Sequence, residues 1–307
     1  MNNLNHLIDN HSEGRTLSQE FYINPDIFDN EMSIIVFNQW LMVDHVSRIP
    51  NPGDYFLFNI AKESIIIIKG RDEKIRAFYN VCTHRGSRIC LEDEGTKKLL
   101  VCPYHAWSFD SEGNLKAARF MSDDFNPKEW GLRTCHIEIH SGIIFINLTN
   151  DKPQNFEEYI EPLVPYLDLH DPKNAKIAFR KKYLTSANWK TTLENFQECY
   201  HCAPSHKSYS AVHEKDFVKI YGAGKGSGPD DETLAYEKRI MPWTNNLKER
   251  GIISTHYLET DIEQGMNRYA DRVPIGNNNE SETKDGKFAT TLMGKFKELG
   301  PDGGVTQ

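Results

Sequence analysis

Apolar and polar positions change period along the chain, and the changes outline its elements. Over residues 15 to 48 the apolar positions recur at helical spacing, interrupted by a turn at "NPD" (Asn24 to Asp26). The run "IFDNEMSIIVFNQWLMV" predicts a helix with Asp29 as its N-cap. From "NPGDY" onward the period shortens. "YFLFNI", "SIIIIKG" and "IRAFYNV" are brief β-rich runs broken by Gly, Asp and Lys, the signature of antiparallel sheet. Strand-like runs return at "KLLVCPY", "WSFDSEG" and "HIEIHSGIIFINL", so residues 40 to 150 read as one compact, mostly-β unit.

Beyond that unit, "DKPQNFEEYIEPLVPYL" marks a boundary, with a helical piece set among its prolines. "AKIAFRKKYLTSANWK" predicts a strand leading into a helix at "TTLENFQECYH", and "FATTLMGKF" predicts another strand. "YGAGKGSGPDDET" and "IGNNNESETKDGK" are polar loops. No internal repeat or low-complexity tract interrupts the pattern. The ending "GPDGGVTQ" is a turn with no element after it, and the expectation is a last domain that continues beyond Gln307.

Composition narrows the class. With 307 residues, 38% hydrophobic and 26% charged, the chain suits one large or two globular domains rather than a disordered protein. A formal net charge of −8 argues against a nucleic-acid binder. "MNNLNHLIDNHSEGR" lacks a signal-peptide core, and the longest aliphatic run, Ile65 to Ile68, is too short for a membrane span. The expected setting is the cytoplasm, without membrane or nucleic-acid partners. There, the cysteines at 82, 90, 102, 135, 199 and 202 are thiols or metal ligands rather than disulfides.

Candidate chemistry begins at "VCTHRGSRIC". Cys82-x-His84 and Cys102-x-x-His105, 17 residues apart, offer two sulfur and two nitrogen ligands within the β unit. A tetrahedral zinc site takes the same set. Zinc motifs usually pair like with like, however, whereas here each loop donates one Cys and one His. That pairing suits a [2Fe–2S] centre with both cysteines on one iron and both histidines on the other. Tyr104 is placed to donate a hydroxyl to a cluster sulfur, Trp107 to shield the site, and Arg85 and Arg88 to offset charge or receive an acidic partner.

A second constellation lies in "NWKTTLENFQECYHCAPSH". On an ideal helix His201 and His206 would stand about 140° apart, but Pro204 between them breaks the helix and lets the second imidazole swing back. Two histidines and a later carboxylate would form the facial triad of a non-haem Fe(II) oxygenase. Glu198, three residues before His201, shares its helix face and is the candidate catalytic carboxylate, coupling the iron histidine to another centre.

Together these motifs resemble the large (α) subunit of Rieske non-haem iron oxygenases, from about residue 20 to the end. The resemblance implies an α+β chain. A helical segment over 1–39 packs on the catalytic domain, a Rieske β-sandwich spans 40–150, and a helix-grip catalytic domain spans 151–307. It also implies a homotrimer in which one subunit's cluster feeds the next subunit's iron, and a reductase, with or without a ferredoxin, that draws on NADH or NADPH. The family's relay carboxylate is usually Asp, where this chain has Glu198. The third iron ligand, a late Asp in the family, is expected beyond Gln307: Asp230, Asp231, Asp261, Asp271 and Asp302 do not match its place.

Within the family, "NVCTHRGSRIC", "VCPYHAW" and "ANWK…LENFQECYHC" look most like the enzymes acting on glycine betaine, stachydrine, choline and carnitine. The implied reaction is dioxygen-dependent hydroxylation of an N-methyl group, with release of formaldehyde. A trimethylammonium group calls for an aromatic cage, and Tyr200, Tyr209, Trp243, Tyr257 and Tyr269 are the candidates. Ring hydroxylation of an aromatic acid, and a Rieske electron carrier without oxygenase activity, are the alternatives. No small β subunit is expected, and Cys90, Cys135, Cys199 and Cys202 have no assigned role.

Overall fold

The computed structural model describes residues 2–164, 167, 171–197 and 201–210, with positions 242, 245, 249 and 285. The chain divides into two compact units, Met1–Pro162 with Lys173–Tyr183, and Leu163–Pro172 with Leu184–Gln307.

The first unit opens with three helices, α1 (Asn2–Asp9), α2 (Glu20–Ile23) and α3 (Pro25–Ile34). The N-cap of α3 is Asn24, not Asp29. Asn24 Oδ1 accepts the Asp26 and Ile27 N–H groups at 2.9 and 3.4 Å, and Pro25 occupies the first helical position, where no N–H is needed. Asp29 lies inside the helix and pairs with Lys62 at 2.7 Å. Nor does the helix run on to Val43: Leu41–His45 is a strand, β1. Apolar spacing fits both forms over so short a run, and a ladder partner decides for strand.

That partner is β10 (Ile143–Asn147), which also pairs with β9 (His136–His140) in a three-stranded antiparallel sheet. A second antiparallel sheet is ordered β4 (Ile75–Tyr79), β3 (Glu63–Lys69), β2 (Asp54–Ile60) and β5 (Glu94–Thr96). A third joins β6 (Leu100–Val101), β7 (Ser108–Phe109) and β8 (Leu115–Ala117). These strands fall on the β-rich runs expected within residues 40–150.

β3 is the middle of the sandwich. Its four consecutive isoleucines, Ile65 to Ile68, are all buried, because side chains alternate across a strand and both faces are covered here. Ile65 and Ile67 pack with Phe56, Ala77, Ile144 and Ile146 toward the β1–β10–β9 sheet. Ile66 and Ile68 pack with Phe78, Cys82, Cys102 and Trp107. Each such side chain contributes about 2 kcal/mol, and the second face thereby floors the two Cys–His loops. Beyond β10 a short helix, α4 (Phe156–Ile160), is capped by Asn155.

In the second unit α5 (Trp189–Gln197) begins where Asn188 Oδ1 accepts the Lys190 N–H at 3.1 Å, matching the helix expected at "TTLENFQ". Two single turns follow, α6 (Cys202–Ser205) and α7 (Lys207–Ser210). The strand expected over "AKIAFRKKYLTS" has no ladder partner among the described residues. Its apolar side chains Phe179 and Tyr183 are 80% and 75% exposed, so nothing there fixes it as sheet. The strand expected at "FATTLMGKF" lies outside the described residues.

Candidate metal centres

The two Cys–His loops share one backbone frame. In the first, following β4, the Gly86 N–H donates to the Cys82 carbonyl and the Cys82 N–H to the Ser87 carbonyl, at 2.9 and 2.8 Å. In the second, between β6 and β7, the Ala106 N–H donates to Cys102 O and the Cys102 N–H to Trp107 O, at 3.0 and 2.8 Å. Each loop turns back through a left-handed residue four positions after its cysteine, Gly86 at φ +75° and Ala106 at φ +60°. Glycine suits that conformation, whereas alanine holds it at a cost.

Both cysteines are 2% exposed and lie in the same core cluster, where Cys102 acts on the Cys82 thiol. The His84 and His105 rings meet edge to face, their centroids 4.7 Å apart. Sulfur is thus grouped with sulfur and imidazole with imidazole. Among the described residues no three His, Cys, Asp or Glu side chains converge on a single-ion position. This donor set fits a binuclear centre, with the sulfur pair on one metal and the imidazole pair on the other, better than one tetrahedral zinc.

Burial pushes the Cys82 thiol up, an effect reinforced by Cys102 and opposed by the N–H groups of His84 and Arg85, which hydrogen-bond the sulfur. His84 is pushed down by desolvation, then by His105 and Arg85. That direction favours the neutral imidazole that binds metal. Arg85 and Arg88 are exposed.

Several supports lie outside the motif. Asn80, fully buried, ties the two ends of the first loop together. Its Oδ1 accepts the Ile89 and Cys90 N–H groups at 3.0 and 2.8 Å, while its Nδ2 donates to Cys90 O at 2.8 Å and Ser64 Oγ at 3.3 Å. The Thr83 hydroxyl donates to Trp130 O at 2.9 Å. Trp107 is 1% exposed, as a shield should be. The Tyr104 ring stacks on His105, with centroids 3.8 Å apart, and is 60% exposed.

Two unassigned cysteines are core residues. Burial pushes the Cys90 and Cys135 thiols up to about 11 and 12.

In the second unit the structure brings the other two histidines together. His201 precedes the single turn of α6 that contains Pro204, and His206 occupies the break before α7. The His201 and His206 Nε2 atoms are 3.2 Å apart, with ring centroids at 5.1 Å. Metal–nitrogen bonds of about 2.1 Å meeting near a right angle put two nitrogens about 3 Å apart, so this pair fits one metal ion.

Glu198, Cys199, Tyr200, Trp243, Tyr257, Tyr269 and the aspartates at 230, 231, 261, 271 and 302 lie outside the described residues, while Cys202 and Tyr209 are placed by backbone alone. No described helix is long and apolar enough to cross a membrane.

Residues 39–134 match the Rieske [2Fe-2S] domain, and residues 172–283 match the ring hydroxylating alpha subunit catalytic domain. The chain is 32% identical over 285 residues to the glycine betaine monooxygenase oxygenase subunit of Pseudomonas aeruginosa, which covers 92% of this chain and 63% of that one. It is 35% identical over 208 residues to the carnitine monooxygenase oxygenase subunit of Escherichia coli (strain K12), covering 66% and 54%. Its structure resembles a quaternary ammonium Rieske monooxygenase crystallised with L-carnitine, at a TM-score of 0.59 and 34% identity over 64% of this chain and 56% of that one. The chain therefore spans less than two thirds of the length of these relatives. Two matched domains in this order, above two Cys–His loops and a convergent histidine pair, show that the chain belongs to the Rieske non-haem iron oxygenases, as a large (α) subunit.

Proposed function

We propose that this chain is the oxygenase component of a monooxygenase that removes an N-methyl group from a quaternary ammonium compound in the cytoplasm. The oxygenase reading rests on the 3.2 Å approach of His201 and His206 Nε2 in a chain that also carries the cluster loops. The substrate class rests on its likeness to the glycine betaine and carnitine subunits.

In this reading Cys82, His84, Cys102 and His105 hold the [2Fe–2S] cluster, and His201 and His206 hold the mononuclear iron with a carboxylate still unassigned. If bound, the two centres would supply the electrons, drawn through a reductase from NADH or NADPH, for a reaction in which one atom of dioxygen ends as water and the other as the hydroxyl of an oxidised N-methyl group. The hydroxymethyl product loses its O–H proton, and its C–N bond breaks with the electron pair left on nitrogen. Formaldehyde and the demethylated amine result. Glu198 is the relay carboxylate in this reading, coupling the iron histidine to the cluster of a neighbouring subunit in a homotrimer. Glu198→Gln leaves the cluster spectrum unchanged and suppresses turnover; an active variant removes the relay role.

The test is formaldehyde release by full-length protein with a surrogate reductase, NADH and a panel of betaines, choline and carnitine. Release with one compound, dependent on dioxygen, supports both reaction and substrate class. A phenol or diol formed from an aromatic acid, with no formaldehyde from the panel, moves the assignment to ring hydroxylation. Protein that keeps its cluster but binds no further iron is an electron carrier.

A further inference from the structure

The shared frame of the two loops exposes a difference between their histidines. Each imidazole has one flat aromatic partner, but the partners are of different kinds. His105 is faced by Tyr104 of its own loop, a ring that is 60% exposed. His84 is faced by Trp107, which belongs to the opposite loop. Those two rings are nearly parallel, at 9° with centroids 4.6 Å apart, and the indole is 1% exposed.

Trp107 is itself held on its other sides. Phe125 and Trp130 meet it edge to face, with centroids at 5.7 and 5.4 Å. Trp130 in turn receives the hydroxyl hydrogen bond of Thr83, the residue just before His84. The segment around residues 125–130 therefore reaches His84 twice, through the ring of Trp107 and through the backbone beside His84. A close-packed interior resists rotation of a ring so enclosed, and aromatic rings favour such stacking beyond the burial it brings.

We infer that Trp107 is a positioning residue: it fixes the ring plane of His84 from the opposite loop, braced by Phe125 and Trp130. The inference rests on the reading that His84 is a cluster ligand. A ligand imidazole needs a fixed orientation as well as a free nitrogen. Many obtain it from a hydrogen bond to the second ring nitrogen; at His84 a flat, buried face constrains the ring as well.

The experiment uses full-length protein carrying its reduced cluster. Pulsed electron paramagnetic resonance reads the couplings of the histidine nitrogens, and transfer of iron to a chelator reads how firmly the cluster is held. The variants are Trp107→Leu, which removes the flat face, and Trp107→Phe, which keeps one. Phe109→Leu is the control, since Phe109 is fully buried in the same core cluster and makes no ring contact with His84. Should Trp107→Leu hold no cluster, Trp107→Met takes its place.

The expected result is that Trp107→Leu broadens one of the two sets of nitrogen couplings and speeds iron transfer about tenfold, the low end for losing a group that orients a ligand. Trp107→Phe keeps sharp couplings, and Phe109→Leu lowers the unfolding temperature without broadening either set. Sharp couplings in the leucine variant, or equal broadening in Phe109→Leu, overturn the inference. Wild-type protein that holds no [2Fe–2S] cluster overturns the ligand assignment instead, and the two failures are thereby told apart.

Discussion

The two candidate metal centres reach convergent ligands by opposite means. The Cys–His loops hang from sheet: β4 leads into one, β6 and β7 flank the other, and the buried isoleucines of β3 lie beneath both. Each loop closes through its own backbone hydrogen bonds, and the first is also tied by Asn80. The histidines of the second unit have no such floor among the described residues. His206 is exposed, and the pair meets where regular structure is interrupted at His206, between two single helical turns. One site is pre-formed by packing and the other by an interruption of regular structure. Substitutions that spare every ligand should therefore damage the first through its supports and the second through helix repair.

The largest effect tests the independence of the two. Cys102→Ser should abolish the cluster and its visible spectrum while leaving mononuclear iron bound, because His201 and His206 belong to the other unit. Metal analysis together with the spectrum checks this, and concerted loss of all iron would show that the sites fold as one. Next is the support of the first loop. Asn80→Leu strands the buried N–H groups of Ile89 and Cys90, and should cost about 2 to 6 kcal/mol at about 1 to 3 kcal/mol per unsatisfied group. Thermal unfolding measures the loss. Asn80→Asp keeps the acceptor for both and should lose less.

Helix repair is the corresponding break in the second region. Pro204→Ala removes a residue that would cost about 3 kcal/mol inside a helix continuous over both histidines, and such a helix turns the imidazoles apart. Iron affinity should fall about tenfold to a hundredfold, as for a ligand that loses its support, with the cluster spectrum unchanged. An iron titration against a competing chelator reads the shift, and undiminished affinity would mean that the histidines are held by something other than the break.

A smaller effect concerns Asp44. Desolvation pushes its carboxyl up, but hydrogen bonds from Arg180, the His45 N–H and Arg48, with the charge of Arg180, outweigh it and hold the group below the ordinary 3.8. Its stabilisation is complete above the unfolded value of 3.8 and is lost as pH falls through the lower folded value. Asp44→Asn should lower stability by about 1 to 3 kcal/mol at neutral pH. Its deficit against the native protein should stay flat down to about pH 5 and close below pH 4, where the native carboxyl also protonates. Unfolding midpoints across that range check both sign and window.

What could be read from the sequence follows the same division. The candidate cluster ligands and their sheet were legible because spacing and period are local: Cys-x-His, Cys-x-x-His and a run of four isoleucines need only nearby residues to be recognised. The role of Asn80 was not, since its partners at 89 and 90 become neighbours only once the loop closes. Nor was the Thr83 contact with Trp130, 47 positions away. β1 read as helix because its apolar spacing is ambiguous, and only β10, about a hundred residues on, makes it a strand. For the histidine pair, Pro204 was a local signal that a break was due, and the break falls two residues later, at His206, with Pro204 inside the preceding turn; the remaining carboxylate is not local and left no comparable mark.

The smallest expected effect lies within the first region, where the two loops share a frame but not a residue. Gly86 and Ala106 both sit four positions after a cysteine at positive φ, and only one of them is glycine. Gly86→Ala meets open space, with no atom within 4 Å of an added Cβ. Any cost there is therefore conformational, about 1 to 2 kcal/mol. Ala106→Gly relieves the same strain but gives the unfolded chain about 0.5 to 1 kcal/mol more entropy to lose, so the net gain should be under about 1 kcal/mol. Denaturant midpoints at unchanged slope should move in opposite directions for the two substitutions. If Ala106→Gly destabilises instead, the alanine methyl contributes packing worth more than its strain, and the two loops are alike in backbone path without being alike in what holds it.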